Sequence, residues 1–118
     1  MYNRIIKCID CLNKSFSSAE LNFVKHIFVF GSVSKGCIHY DSDIDLLVIG
    51  DKPKSIELVS YINKILDKYN CTDVEVDLKY YDIDTFRVLR NSNVFLKSIE
   101  KDCIRLEEIK NELLRFCN

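Results

Sequence analysis

Two short apolar runs on either side of a polar segment constrain the fold of this chain more than any other feature. The runs are His26–Phe30 and Leu46–Ile49, and both consist mainly of aliphatic or aromatic residues. Runs of this kind are typical of buried strands. Because stretches with helical periodicity lie before the first run and after the second, we expect an α/β (α+β) fold, with a short mixed sheet of three or four strands flanked by helices.

Periodicity and turn residues predict the remaining elements. They are a helix at about 2–16, strands at 26–30, about 43–49 and about 73–80, a helix at about 55–69, helical segments from 83 onward with a break at 91–93, an extended piece at 103–106 and a last helix at 107–116. In the helix at 55–69 we expect the buried stripe to contain Ile56, Val59, Ile62 and Leu66.

Length and charge limit the number of domains and the class of partner. With 118 residues, we expect one domain, over residues 1–118, with no room for a second substrate-binding domain. The chain has 17 basic and 18 acidic residues, so it carries no net bias towards polyanions. We therefore expect no direct binding of nucleic acid.

Six cysteines, at positions 8, 11, 37, 71, 103 and 117, raise the question of disulfides. The N-terminus lacks the apolar core of a signal peptide, and no run reaches membrane-spanning length, so we expect a cytoplasmic protein with reduced thiols. Cys8 and Cys11 form a CxxC pair without a second ligand pair at zinc-like spacing. We interpret both as buried cysteines of the first helix.

Three aspartates are the candidate catalytic and metal-binding residues. Asp43 and Asp45 are two apart on a predicted strand, so their side chains project from one face and suit a pair of Mg²⁺ ions. In the next strand, alternation places Glu75, Asp77 and Lys79 opposite the core face. Asp77 is our candidate for a third ligand or proton acceptor, and Glu75 is the alternative.

A turn at Gly31-Ser32 follows the first strand and supplies the candidate nucleotide-binding residues. Gly31 lets backbone approach a phosphate closely, Ser32 adds a hydroxyl, and Gly36 lies at the other end of the short segment. Either Lys35 or Lys52 is a candidate for contact with a triphosphate. Phosphate-binding backbone beside paired carboxylates suggests nucleotidyl transfer.

The segment from Phe30 to Gly50 closely resembles the GSx10DxD motif of the polymerase-beta-like nucleotidyltransferase superfamily. The short chain is similar to its minimal nucleotidyltransferase (MNT) branch, and Val76-Asp77-Leu78 resembles the strand that carries the third carboxylate. Many members of that branch are antitoxins paired with a HEPN-domain toxin, and some transfer AMP from ATP to a tyrosine of that partner. The resemblance implies two Mg²⁺ ions at Asp43, Asp45 and Asp77, with Ser32 on the triphosphate. The family often has a basic residue directly after Gly-Ser, where this chain has Val33.

Two other functions stay open at this point. The first is adenylylation of a small hydroxylated molecule such as an aminoglycoside, for which the roughly 35 residues after Asp82 offer little acceptor-binding structure. The second is neutralisation of a toxin by binding alone. The acceptor, the base of the nucleotide and the formation of homo-oligomers are not determined by the sequence.

Overall fold

A computed structural model of the chain describes residues 2–17, 21–36, 43–51, 55–71 and 74–116. In chain order the elements are α1 (Tyr2–Phe16), β1 (Val24–Phe30), α2 (Gly31–Ser34), β2 (Ile44–Gly50), α3 (Ser55–Lys68), β3 (Val76–Asp82), α4 (Ile83–Leu89), α5 (Val94–Asp102), β4 (Ile104–Arg105) and α6 (Leu106–Phe116). Helices and strands therefore follow each other in the predicted order. None of the described helices is long and apolar enough to span a bilayer.

The four strands form one mixed sheet in the order β3-β2-β1-β4. Strand β1 runs antiparallel to β2 and to the two-residue β4, whereas β3 runs parallel to β2. The carboxyl end of β1 therefore meets the amino ends of β2 and β3 at one edge of the sheet. Phe30 is opposite Asp45, and Asp45 is opposite Asp77, so the motif residues converge at this edge.

Helices cover both faces of the sheet. On one face, Val29, Leu46 and Val48 form the main core with apolar residues of α1, α3 and α6. On the other face, Leu47 packs with Leu96 and Ile99 of α5. Side chains alternate between the two faces along a strand, so Asp45 shares the face of Leu47.

Helix α3 corrects one of our expectations. The chain buries Leu58, Ile62 and Leu66, whereas Ile56 is 78% exposed and Val59 is 43% exposed. Ile56 and Leu58 are two positions apart, which corresponds to about 200° of helix rotation, so their side chains lie on nearly opposite faces of the helix. The expected and the observed stripes share Ile62 and Leu66, and both fit helical spacing. Only contact of α3 with α1 and the sheet determines that Leu58 is buried and Ile56 is not.

The third strand begins later than we expected, at Val76 and not near residue 73, and it continues to Asp82. Its bounds match those of β2 residue for residue, from Ile44 opposite Val76 to Gly50 opposite Asp82. Pairing with the neighbouring strand therefore sets its length. The predicted alternation is retained, and Asp77 and Lys79 share a face.

Candidate functional site

The two candidate carboxylates on the sheet are direct neighbours across parallel strands. Asp45 of β2 is the register partner of Asp77 of β3. Asp43 lies just before β2, is exposed, and is separated from Asp45 by the fully buried Ile44. Glu75, the alternative third carboxylate, precedes β3, and its carbonyl oxygen accepts the backbone N–H of Ile44 at 2.9 Å. Asp77 is therefore the residue that the strand register places beside Asp45.

Gly31 provides the space that the Asp45 carboxylate occupies. It has a positive φ of +73°, and a β-carbon added there would collide with Asp45 Oδ2 and approach Asp45 Cγ to 3.3 Å. Any other residue would be strained in this conformation and would displace the carboxylate. The glycine of the turn and the second aspartate of the motif therefore form one steric unit.

Hydrogen bonds within the turn hold the segment from Gly31 to Gly36. The hydroxyl of Ser34, which is buried, donates to the carbonyl of Gly31 at 2.7 Å. The backbone N–H groups of Lys35 and Gly36 donate to the carbonyls of Ser32 and Val33, both at 3.1 Å. Gly36 also has a positive φ, +74°. Ser34 was not among the predicted site residues. Its hydrogen bond to Gly31 shows that it stabilises the turn, and the sequence alone does not reveal this contact.

Lys35, the predicted triphosphate contact, lies 3.7 Å from the carboxylate of Asp102 at the end of α5. Both side chains are about half exposed, so this ion pair is weak. Lys52, the other candidate, lies outside the described residues.

The electrostatics of Asp45 indicate a cluster of carboxylates. Burial raises the pKa of Asp45 above its ordinary value, and the negative charges of Asp77 and Asp43 raise it further, while Lys79 lowers it. The charges of Asp77 and Asp43 therefore both act on Asp45. A divalent cation would relieve this repulsion.

Lys79 is a residue of the site that our sequence reasoning did not single out. Its ammonium group lies 3.8 Å from Asp77 Oδ1, and it is the positive group that lowers the pKa of Asp45. The sequence already indicated that Lys79 lies near Asp77, because residues two positions apart on a strand share a face. It partly offsets the negative charge of the carboxylate cluster.

The donors at this edge fit Mg²⁺ in chemistry. Mg²⁺ prefers oxygen ligands and commonly uses one or two carboxylates, with substrate phosphate oxygens and waters completing the octahedron. Asp45 and Asp77 supply facing carboxylates, and Asp43 is near enough to act on Asp45. Among the residues described, no three aspartate, glutamate, histidine or cysteine side chains, Asp43, Asp45 and Asp77 included, are grouped closely enough to hold a metal ion on their own. Substrate oxygens would therefore complete the coordination.

Two solved structures share this fold. One is a toxin-antitoxin complex with AMP-PNP, 21% identical to the chain, with a TM-score of 0.57. The other is a mutant of the toxin-antitoxin complex MntA-HpeT with two Asp→Glu substitutions, 20% identical, with a TM-score of 0.58. Each alignment covers 91% of this chain and 82% of the other. The predicted fold class is thereby confirmed.

The family comparison extends over most of the sequence. No curated protein matches the chain significantly. The sequence model of the nucleotidyltransferase domain, in contrast, matches residues 9–106, which include the turn, all three aspartates and Lys79. The chain therefore belongs to the nucleotidyltransferase domain family, as the motif resemblance implied.

Proposed function

We propose that this protein is a Mg²⁺-dependent nucleotidyltransferase that moves AMP from ATP to a hydroxyl group, preferably a tyrosine, of a HEPN-type toxin and so acts as its antitoxin. The observation that carries the proposal is the meeting of Asp45 and Asp77 on neighbouring strands, with Gly31 leaving room for the Asp45 carboxylate. Support also comes from the family and from the two structural relatives, both toxin-antitoxin complexes.

The relatives also support the choice of nucleotide and of carboxylates. One of them was crystallised with AMP-PNP, an analogue of ATP. In the other, the two substituted aspartates are two positions apart, which is the spacing of Asp43 and Asp45 here. We assign the metal-binding role to Asp43, Asp45 and Asp77. Two Mg²⁺ ions would neutralise phosphate charge and lower the barrier to attack at the α-phosphorus.

The residues of the chain then have distinct roles in the transfer. The turn at Gly31 and Ser32, with Lys35 and Gly36, holds the triphosphate, so that the α-phosphorus lies near Asp45. Asp77 accepts the proton of the attacking hydroxyl group, and the oxygen of that hydroxyl group forms the new bond to the α-phosphorus. The bond between the α-phosphorus and the bridging oxygen breaks, and pyrophosphate leaves. Lys79 limits the negative charge that the incoming triphosphate meets.

A transfer assay tests the proposal. The chain is incubated with Mg²⁺, ATP labelled at the α-phosphate and the protein encoded beside it, and label on that partner is measured. We expect the partner to be labelled, and we expect the rate of labelling to be at least about 100-fold lower in an Asp77→Asn variant. Asp67→Asn is the matched control, because Asp67 is an exposed aspartate of α3. No label with the unsubstituted chain, or equal labelling by the Asp77→Asn and control variants, would contradict it.

Neutralisation by binding alone is a second candidate, because apolar side chains are exposed beside the site. Val94 and Phe95 at the start of α5 are 82% and 44% exposed, and the rings of Phe95 and Phe30 pack in a T-shaped arrangement with 5.9 Å between centroids. A partner that covers Phe95 would therefore also cover the Gly31 turn. If a double variant Asp43→Asn and Asp45→Asn still neutralises the toxin fully, binding suffices and catalysis is not needed.

A further inference from the structure

Two buried thiols lie in contact in the main core, far apart in sequence. Cys11 Sγ and Cys71 Sγ are 3.3 Å apart, although the two residues are 60 positions apart along the chain. Both are buried, with 6% and 2% of their surface exposed, and both are reduced. A disulfide bond has a sulfur–sulfur length of about 2.05 Å, so the sulfurs would have to approach by only roughly 1.2 Å.

The backbone fixes each thiol in this position. Cys11 lies inside α1, where its carbonyl also accepts the hydroxyl of Ser15 at 2.8 Å. Cys71 follows the end of α3, where Asn70 has a left-handed φ of +56° and the Cys71 N–H donates to the carbonyl of Leu66 at 2.8 Å. This is the hydrogen bond of a Schellman-type helix end. The turn thus directs Cys71 towards α1.

A surface depression includes Cys11, the more exposed of the two cysteines, in its lining. It has a volume of about 460 Å³ and is lined by Ile6, Lys7, Asp10, Cys11, Lys14 and Tyr69. Buried thiols otherwise react slowly, because the reagent cannot reach them. Cys11 is therefore the member of the pair that meets an oxidant first.

From this geometry we infer that Cys11 and Cys71 are a site of reversible disulfide formation that cross-links α1 to the end of α3. With hydrogen peroxide as oxidant, the Cys11 sulfur attacks one oxygen, which gives a sulfenic acid and one water molecule. The Cys71 sulfur then attacks the Cys11 sulfur, the S–S bond forms, and the hydroxyl group leaves as a second water. Two thiols together lose two electrons and two protons, and the peroxide gains them. A dithiol reverses the reaction by exchange.

The test is oxidation of the native chain with hydrogen peroxide, followed by blocking of free thiols and peptide mapping. We expect one dominant cross-linked peptide pair that contains Cys11 and Cys71, lost after treatment with a dithiol. Oxidation of the chain in guanidinium chloride is the reference, because there all six cysteines are free to pair. A native pattern identical to that reference, or no Cys11–Cys71 peptide while Cys103 is oxidised, would overturn the inference.

Variants and thermal unfolding provide a second, independent measurement. A Cys8→Ser variant, altered one turn before Cys11 on α1, should keep the cross-link, and a Cys71→Ser variant should lose it. Because the bond closes a long loop, the oxidised chain should melt about 10 °C or more above the reduced chain. Equal melting temperatures for the oxidised and reduced chains would contradict a bond at this position.

Discussion

Replacement of Gly31 by alanine should affect stability and activity by separate mechanisms. An alanine at a φ of +73° costs about 1–2 kcal/mol in backbone strain, which corresponds to a fall in melting temperature of roughly 4–8 °C for a domain of this size. The added methyl group also collides with Asp45 Oδ2, so the carboxylate must leave its observed position. A displacement of about 1 Å costs on the order of 100-fold in rate.

A double-mutant cycle separates these two effects. In an Asp45→Ala background the carboxylate is absent, and the remaining β-carbon lies 3.6 Å from the position of the added methyl group, an ordinary contact. The Gly31→Ala substitution should then cost only the backbone strain. We expect it to destabilise the unsubstituted chain by at least about 0.5 kcal/mol more than this background, as measured by urea unfolding.

Two results would refute this reasoning. Equal costs of Gly31→Ala in the two backgrounds would show that Asp45 does not occupy the space beside the glycine. Full transfer activity of the Gly31→Ala chain would show that the position of this carboxylate is unimportant for the reaction.

Three further predictions concern charge and packing. Asp45→Asn should stabilise the protein at neutral pH, since the raised pKa of Asp45 makes its ionised form destabilising in the folded chain; because solvent screens this half-buried group, the gain should be small, roughly 0.2–0.5 kcal/mol. This gain should vanish in unfolding experiments as the pH falls below the unfolded-state pKa. Asp82 caps α4 through hydrogen bonds from Thr85, which lower the pKa of Asp82, so its contribution to stability should be full above the unfolded pKa and be lost as the pH falls through the folded value. An Asp82→Ala variant should therefore show a smaller loss of stability on acidification than the unsubstituted chain. In α3, Leu58→Ala should cost about 2–5 kcal/mol and Ile56→Ala less than about 0.5 kcal/mol in urea unfolding, and the reverse order would contradict the observed register of that helix.

The local parts of the fold could be predicted from the sequence. Helix α1 was expected at about 2–16 and runs from Tyr2 to Phe16, because its apolar spacing matches only one helical face. The turn at Gly31 was expected at the end of a strand, and β1 ends at Phe30, directly before it. In each case the determining interactions lie within a few residues.

What could not be predicted depends on contacts between distant segments. The start of β3 at Val76 follows from pairing with β2, and the buried face of α3 follows from packing against α1. The sequence named Asp77 as the candidate third carboxylate, but its pairing with Asp45 depends on the register of two strands. The contact between Cys11 and Cys71 depends on two helices that the sequence does not place relative to each other.

Calorimetric titration of the chain with ATP in the presence of Mg²⁺ tests the central claim most directly. We expect the unsubstituted chain and a Glu75→Gln variant to bind ATP with a Mg²⁺-dependent heat, and an Asp77→Asn variant to lose that dependence. Retention of the Mg²⁺-dependent heat by Asp77→Asn together with its loss in Glu75→Gln would contradict the assignment of the site to Asp45 and Asp77.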